Sequence, residues 1–238
     1  MIAVRPPEYF PRLAYVALMQ AVDCFVVADT FAYSRQSFQN RGRLRNPQGW
    51  QWISVPLQAG QRGRPIRTHQ INTNGRWLQK HWRAFQYNYR STPYFEYFEP
   101  QVEPFFQKAW THLGPLTCAS VALTHELVGL STTLVRASDL DGAPDTLADI
   151  LAVMGRDDLL APEAAAHHDR KAAPRLSVFR FDTPEYRQNF EGFEPGMSAV
   201  DVLFNYGPEA RALLAQGTHI DATDVDATDV DATEQAAE

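Results

Sequence analysis

Acidic side chains are missing from a long stretch of this sequence, since neither aspartate nor glutamate occurs between Asp29 and Glu96. The same interval holds eleven of the 22 lysines and arginines, namely Arg35, Arg41, Arg43, Arg45, Arg62, Arg64, Arg67, Arg76, Lys80, Arg83 and Arg90. These residues have no counter-ion nearby in the sequence. A basic region of this kind attracts anions, and arginine pairs well with phosphate and carboxylate groups.

Several familiar features are also absent. The sequence has no Walker loop, no GxGxxG after an expected strand and no GxSxG turn, which disfavours common nucleotide hydrolases, dehydrogenases and α/β-hydrolases. It has no run of eighteen apolar residues, so we expect no membrane span. Its two cysteines, Cys24 and Cys118, lie in apolar surroundings and are interpreted as reduced core residues of a cytoplasmic protein. We expect no metal site, and the sequence identifies neither a cofactor nor an oligomeric state.

The C-terminus accounts for the negative net charge. Residues 221–238 contain seven acidic residues and no basic one, which leaves 28 − 7 = 21 acidic against 22 basic residues elsewhere. Because the repeat DATDV is poor in apolar mass, we predict a disordered tail over 218–238 after a single domain over 1–217. This tail either improves solubility or competes with anionic ligands for the basic region.

Apolar segments of strand length alternate with segments of helical spacing. Strands are expected near residues 1–4, 24–29, 50–57, 66–71, 134–136 and 176–181. Helices are expected from residue 11 onward, over 74–90, 97–113, 115–130 and 144–154, and near the end of the domain. Residues 161–175 are expected to form a loop. This alternation predicts a single α/β domain whose mostly parallel sheet is flanked by helices.

Four sequence blocks, taken in order, resemble those of a known family. They are EYFPRLAY (8–15), AVDCFVVADTFAYSRQSFQNRGRL (21–44), WLQKHWRAFQYNYRSTPYFEYF (77–98) and EYRQNFEGFEPGMSAVDVLFNYGPEA (185–210). In these blocks the chain is similar to the WbqC-like family, which implies a cytoplasmic α/β protein of sugar metabolism in bacterial surface-polysaccharide (O-antigen) biosynthesis. Residues 161–174 depart from the glycine-rich segment that many relatives carry, which suggests a different ligand or a loss of activity.

Candidate anion-binding residues follow the expected strand that ends at Asp29. Ligands of open α/β sheets bind beyond the carboxyl ends of strands, and guanidinium groups match phosphate geometry. The candidates for substrate binding are Tyr33, Arg35, Gln39, Asn40, Arg41 and Arg43. Alternatively, these arginines form a solvated face or pair with acidic residues from the C-terminal half.

Two residues are candidates for proton transfer. Asp29 could act as a general base or orient a sugar hydroxyl, and it could equally be a turn residue. His81 could act as a base, although a histidine at the edge of the core is the simpler interpretation. Ser198 and Asp201 are interpreted as a capping-box-like helix start.

The leading functional interpretation is binding of an anionic, nucleotide-activated sugar or related donor, and the reaction class considered is group transfer. One alternative is a non-catalytic accessory protein that binds an acidic partner. Single-stranded nucleic-acid binding is a second alternative, suggested by arginines interleaved with tryptophans, but the nearly neutral domain disfavours it.

Overall fold

A computed structural model of the protein describes residues 1–173 and 175–223. The strands are Ile2–Arg5 (β1), Cys24–Val27 (β2), Arg41–Asn46 (β3), Gly49–Ser54 (β4), Thr133–Arg136 (β5), Asp158–Pro162 (β6), Arg175–Phe181 (β7) and Thr218–Thr223 (β8). The α-helices are Leu13–Gln20 (α1), Trp77–Tyr89 (α2), Phe95–Gln107 (α3), Leu113–Val128 (α4), Leu147–Met154 (α5), Glu163–Asp169 (α6), Ala199–Tyr206 (α7) and Ala210–Gln216 (α8). Short 3₁₀ helices occupy Ile66–Thr68, Ala137–Asp139 and Gly207–Glu209.

Six strands form one sheet in the order β5-β2-β1-β6-β7-β8, and β3 pairs with β4 in a separate antiparallel hairpin. All neighbours in the large sheet are parallel except β7 and β8. The predicted α/β fold with a mostly parallel sheet is confirmed. From β1 the chain proceeds to β2 and β5 on one side and later to β6 and β7 on the other. The topological switch point therefore lies between β1 and β6.

Apolar side chains alternate between the two faces of the sheet, as strands buried on both sides require. In β1, Ala3 belongs to one hydrophobic cluster, and Ile2 and Val4 belong to another. The larger cluster packs the sheet against α1, α2, α3, α4, α7 and α8. The smaller cluster packs it against α5 and α6. The predicted layer of helices on each side of the sheet is therefore present.

Two of the expected elements are wrong. Residues 66–71 do not form a strand, because the chain after Pro65 turns into a 3₁₀ helix, where the Thr68 hydroxyl donates to the Pro65 carbonyl at 3.1 Å. Residues 161–175 are not a loop, since they contain the end of β6, α6 and the start of β7. Strand β3 was not anticipated, because its arginines conceal the alternation of buried Gly42 and Leu44.

The sheet extends into the region expected to be tail. Residues 218–223 form β8, which pairs in antiparallel fashion with β7. The structured part of the chain therefore continues beyond residue 217, whereas residues 224–238 lie outside the described residues. Across residues 1–173 and 175–223, no helix combines the length and apolar character needed to cross a membrane. Cys24 and Cys118 are buried and free, as expected.

The hairpin β3–β4 packs closely against the loop that follows β1. A Cβ atom built at Gly42 would lie 2.7 Å from the carbonyl oxygen of Tyr9, too close for any side chain. Nearby, the amide of Tyr9 donates to the carbonyl of Phe38 at 2.9 Å. The amide of Ser198 donates to the carbonyl of Arg43, which ties the hairpin to the start of α7.

Replacing Gly42 with alanine should destabilise the protein by about 1–3 kcal/mol, because the added methyl group must push the hairpin away from rigid backbone. Urea unfolding followed by tryptophan fluorescence measures this loss. Ser54→Ala, an exposed change on the same hairpin, should alter the free energy of unfolding by no more than about 0.5 kcal/mol. Equal effects from the two substitutions would contradict the proposed close packing.

Candidate functional site

Three of the predicted anion-binding residues line one cavity of about 690 Å³, which we call the basic cavity. Tyr33, Arg35 and Asn40 form one wall. The opposite wall comes from residues 57–63 and from His69. A volume of this size is within the range of small-molecule binding sites, about 300–1,000 Å³.

The basic cavity lies beyond the carboxyl end of β2. The chain that leaves β2 is held by residues 64–67, since the Tyr33 amide donates to the Arg64 carbonyl at 3.1 Å and the Arg67 amide donates to the Asp29 carbonyl at 2.8 Å. These backbone contacts fix both walls relative to the sheet. The cavity therefore lies on the carboxyl side of the sheet, near the end of β2.

Polar contacts hold the side chain of Asn40 in the wall. The Tyr33 hydroxyl donates to Asn40 Oδ1 at 3.0 Å, and Asn40 Nδ2 donates to the Val55 carbonyl at 3.0 Å. The charges at the rim are not held in this way. Arg35 and Arg62 are exposed, and neither forms a salt bridge with a carboxylate in the described part of the chain. The rim consequently carries uncompensated positive charge.

His69 is the most unusual group in this cavity. It is 4% exposed, and neither ring nitrogen has a hydrogen-bond partner of good geometry among the described residues. Its ring contacts that of Tyr33, with 4.5 Å between centroids. Burial lowers the pKa of His69, against an opposing backbone contact with Arg64, so the imidazole is neutral near pH 7. A neutral imidazole can donate one hydrogen bond and accept another, so the nitrogen that does not face the Arg64 backbone could pair with a ligand in the cavity.

Arg41 and Arg43, the first candidates in the sequence, line neither the basic cavity nor the smaller crevice described below. Their guanidinium groups stack on the hairpin tryptophans. Arg41 Cζ lies 4.2 Å from the ring centroid of Trp52, and Arg43 Cζ lies 4.1 Å from that of Trp50 and 4.9 Å from that of Trp52. Neither arginine forms a salt bridge with a described carboxylate. The two arginines thus add positive charge near the site from a preorganised surface.

Gln39 marks the boundary with a second cavity. Its Oε1 accepts a hydrogen bond from the Ser34 amide at 2.8 Å, and its side chain helps to line a crevice of about 370 Å³ between the ends of β1 and β6. We call this cavity the switch-point crevice. Residues 33–40 therefore form a wall of both cavities.

Asp29 is fully buried and lines neither cavity. Its carboxylate accepts hydrogen bonds from Arg136 Nη2 at 3.0 Å, from the Ser138 amide at 3.0 Å and from the Ser138 hydroxyl at 2.8 Å. These bonds join the carboxyl ends of β2 and β5. The geometry favours a positioning role at the strand end over proton transfer to a ligand.

His81 lies in the core, where its Nδ1 and the Tyr9 hydroxyl are 3.0 Å apart. Burial lowers its pKa to about 4, against a backbone hydrogen bond with Ser54 that raises it. The ring packs against Trp77, with 5.3 Å between centroids. The geometry therefore favours the interpretation of a neutral core histidine.

The remaining basic residues between Asp29 and Glu96 are exposed, including Arg64 and Arg67, with the exception of Arg45. Arg76, Lys80, Arg83 and Arg90 are exposed along α2, as a solvated face requires. Arg45 is buried, and its Nε donates to Gln188 Oε1 at 3.0 Å. In addition, Arg45 donates to the backbone carbonyl of Glu191. Arg45 thereby anchors residues 188–191 to the hairpin and is unavailable to a ligand.

Asp201 lies in the same buried network, which corrects part of the sequence interpretation. Helix α7 begins after Ser198 as expected, but the Ser198 hydroxyl is buried and does not cap the helix. The carboxylate of Asp201 accepts hydrogen bonds from Tyr186 at 2.6 Å and from Gln188 at 3.0 Å instead. Burial raises the pKa of Asp201 to about 6, although the hydrogen bonds from Tyr186, Tyr89 and Gln188 oppose this shift.

Fold and site together define an α/β protein with a basic cavity on the carboxyl side of its mostly parallel sheet. The sequence profile of the WbqC-like protein family matches residues 6–213. The chain belongs to the WbqC-like protein family. It is also 30% identical over 220 residues to the uncharacterized protein Rv1507c of Mycobacterium tuberculosis (strain ATCC 25618 / H37Rv), covering 88% of this chain and 95% of that protein. No solved structure matches the chain.

The buried carboxyl of Asp201 should make stability depend on pH. The pKa of Asp201 is about 6 in the folded protein and 3.8 in solvent. Between pH 3.8 and 6 the folded protein therefore keeps a proton on this carboxyl that the unfolded protein loses. Stability should be greatest below about pH 4 with respect to this group and should fall by on the order of 2–3 kcal/mol as pH rises through about 6.

Asp201→Asn should remove this contribution, because the amide oxygen can keep the donors from Tyr186 and Gln188 while the side chain no longer titrates. Urea unfolding at pH 4.5, 5.5, 6.5 and 7.5 measures the difference from wild type. Asp145→Asn, at an exposed site, is the matched control and should keep the wild-type slope. A slope unchanged in Asp201→Asn would exclude this assignment.

Proposed function

We propose that the protein binds a nucleotide-activated sugar, or a closely related anionic sugar donor, in the basic cavity. One combination of features carries the proposal. Arg35 and Arg62, which have no carboxylate partner among the described residues, line the same cavity as His69, whose ring nitrogens lack hydrogen-bond partners of good geometry. Positive charge at the rim suits the diphosphate, and the polar wall suits sugar hydroxyls. The family resemblance supports the same substrate class.

The diphosphate is assigned to the rim because guanidinium groups bind phosphate oxygens through charge-assisted, paired hydrogen bonds. Arg35 and Arg62 both line the basic cavity, and both are exposed. The stacked Arg41 and Arg43 contribute to the field that attracts an anion, since the neighbouring sequence contains no acidic residue to cancel it.

The sugar is assigned to the interior wall because that wall holds neutral groups able to donate and accept. Asn40 is fixed by Tyr33 and by the backbone of Val55, and the buried His69 has a ring nitrogen available to a ligand. Fixed, uncharged polar groups distinguish hydroxyl positions without attracting a second charge. A ligand held in this way is an activated donor, which makes group transfer in surface-polysaccharide biosynthesis the reaction class that we propose.

Binding of UDP-glucose and other nucleoside diphosphate sugars should stabilise the protein in thermal-shift assays, with affinities measured by titration calorimetry. UDP supplies the diphosphate without a sugar, and glucose supplies the sugar without a charge. Arg35→Ala and Arg62→Ala should each weaken binding about 10- to 100-fold, the loss expected when a hydrogen bond to a charged group is removed.

Arg83→Ala, on the exposed face of α2, is the matched control and should leave affinity unchanged at 150 mM salt. Absence of binding across the panel of nucleoside diphosphate sugars would refute the proposed function. An equal loss in Arg83→Ala and Arg35→Ala would instead indicate a diffuse basic surface, as an accessory protein that binds an acidic partner would have.

A further inference from the structure

The switch-point crevice occupies the position where open α/β sheets bind ligands, between two strands whose connections run in opposite directions. Arg5 at the end of β1, Pro162 at the end of β6, the start of α1 and residues 37–39 all contribute to its lining. With a volume of about 370 Å³, the crevice can hold a small ring-containing molecule.

Charges in the crevice are compensated, unlike those in the basic cavity. Arg5 pairs with Asp169, and Arg12 pairs with Glu8, whose carboxylate also accepts a hydrogen bond from the Arg12 amide at 3.1 Å. A fixed ion pair attracts neither an anion nor a cation strongly. The crevice therefore favours an uncharged ligand.

Apolar and aromatic side chains form most of the remaining surface. Leu18, Phe38 and Phe179 line the crevice, and the Arg12 guanidinium lies 3.8 Å from the ring centroid of Phe38, which fixes that ring. Flat apolar walls favour a ligand with a flat or ring-shaped apolar face.

Tyr15 supplies a polar group with no partner. The residue is 6% exposed and lines the crevice, and its hydroxyl makes no hydrogen bond within residues 1–173 and 175–223. A buried hydroxyl without a partner is unfavourable, and a bound ligand can supply the missing hydrogen bond. Burial raises the pKa of Tyr15 well above its usual value, so the hydroxyl keeps its proton.

Backbone strain occurs in the same loop. Phe10, between the end of β1 and the start of α1, has a φ of +46° although it is a large, fully buried residue. Non-glycine residues in this region of conformational space are found disproportionately at functional sites, where the surrounding structure enforces them. The surroundings do so here, because the Phe10 amide donates to the Ser120 hydroxyl at 3.2 Å.

We propose that the switch-point crevice is a second ligand site, which binds an uncharged ring compound whose hydroxyl group pairs with Tyr15. The ring packs between the apolar walls, and the compensated arginines exclude ligands with a net charge. The site is independent of the sugar donor proposed for the basic cavity, although residues 33–40 separate the two.

The methyl signals of two leucines allow each cavity to be followed separately by NMR. Leu18 lines the crevice, and Leu57 lines the basic cavity. The probes are phenol and methyl glucoside, which are uncharged rings with hydroxyl groups, together with toluene, which lacks a hydroxyl, and benzoate, which is charged. Phenol or methyl glucoside should shift the methyl signals of Leu18 and should bind with a lower Kd than toluene and benzoate. The same probe should leave the methyl signals of Leu57 unchanged.

Tyr15→Phe tests the hydroxyl itself. It should weaken binding of the hydroxyl-bearing probe about tenfold, while the urea midpoint stays equal to that of wild type or rises, because the hydroxyl has no protein partner to lose. Tyr97→Phe, at an exposed position, is the matched control and should change neither quantity.

Three outcomes would overturn the second site. These are no shift of Leu18 with phenol or methyl glucoside at millimolar concentration, equal affinity in Tyr15→Phe, and tighter binding of benzoate or toluene. A lower urea midpoint in Tyr15→Phe with unchanged probe affinity would assign Tyr15 a purely structural role. None of these outcomes bears on the basic cavity, which Leu57 reports through a UDP-glucose titration.

Discussion

The contact between the loop after β1 and the segment before β3 is the constraint on which both cavities depend. Gly42 allows the hairpin backbone to approach the Tyr9 carbonyl, and the Tyr9 amide donates to the Phe38 carbonyl. These contacts fix residues 33–40 over the carboxyl edge of the sheet. Residues 37–39 of that segment line the switch-point crevice, and Tyr33, Arg35 and Asn40 line the basic cavity, so one backbone attachment affects the shape of both.

The arginine-rich region serves several different purposes, which explains why its size alone does not define a site. Arg45 is buried and structural, and the basic residues of α2 are in solvent. Arg41 and Arg43 stack on Trp52 and Trp50, an arrangement worth about 0.5–1 kcal/mol for each exposed cation–π pair. Stacking occupies the faces of these tryptophans, which would otherwise be platforms for nucleic-acid bases. Arg35 and Arg62 remain as the cations placed at a cavity.

Sequence reasoning succeeded where local pattern and position determine structure. The apolar runs of β1 and β2 predict buried parallel strands, and Tyr33, Arg35 and Asn40 lie together because they follow one strand end within a short segment. It failed for β3, whose alternation is hidden by arginines, and for α6, whose alanine-rich sequence lacks an apolar period long enough to indicate a helix. Asp29 and His81 were chosen for their chemical type, but burial and hydrogen bonding give them structural environments that no local pattern reveals.

The residues that sequence reasoning missed are the ones brought to the sites by tertiary contacts. His69 reaches the basic cavity through the pairing of residues 64–67 with the chain after β2, and Tyr15 reaches the crevice from the first turn of α1. His69 has no sequence signal beyond its type, and Tyr15 has only its place in the block EYFPRLAY, which does not indicate a cavity. The useful structural signal is the same in both, a buried polar atom without a protein partner beside a cavity. Such an atom destabilises the empty protein, and a ligand that completes the hydrogen bond in each cavity would remove this cost. The basic cavity carries uncompensated charge and the crevice carries compensated charge. The ligands proposed for the two cavities therefore differ in charge.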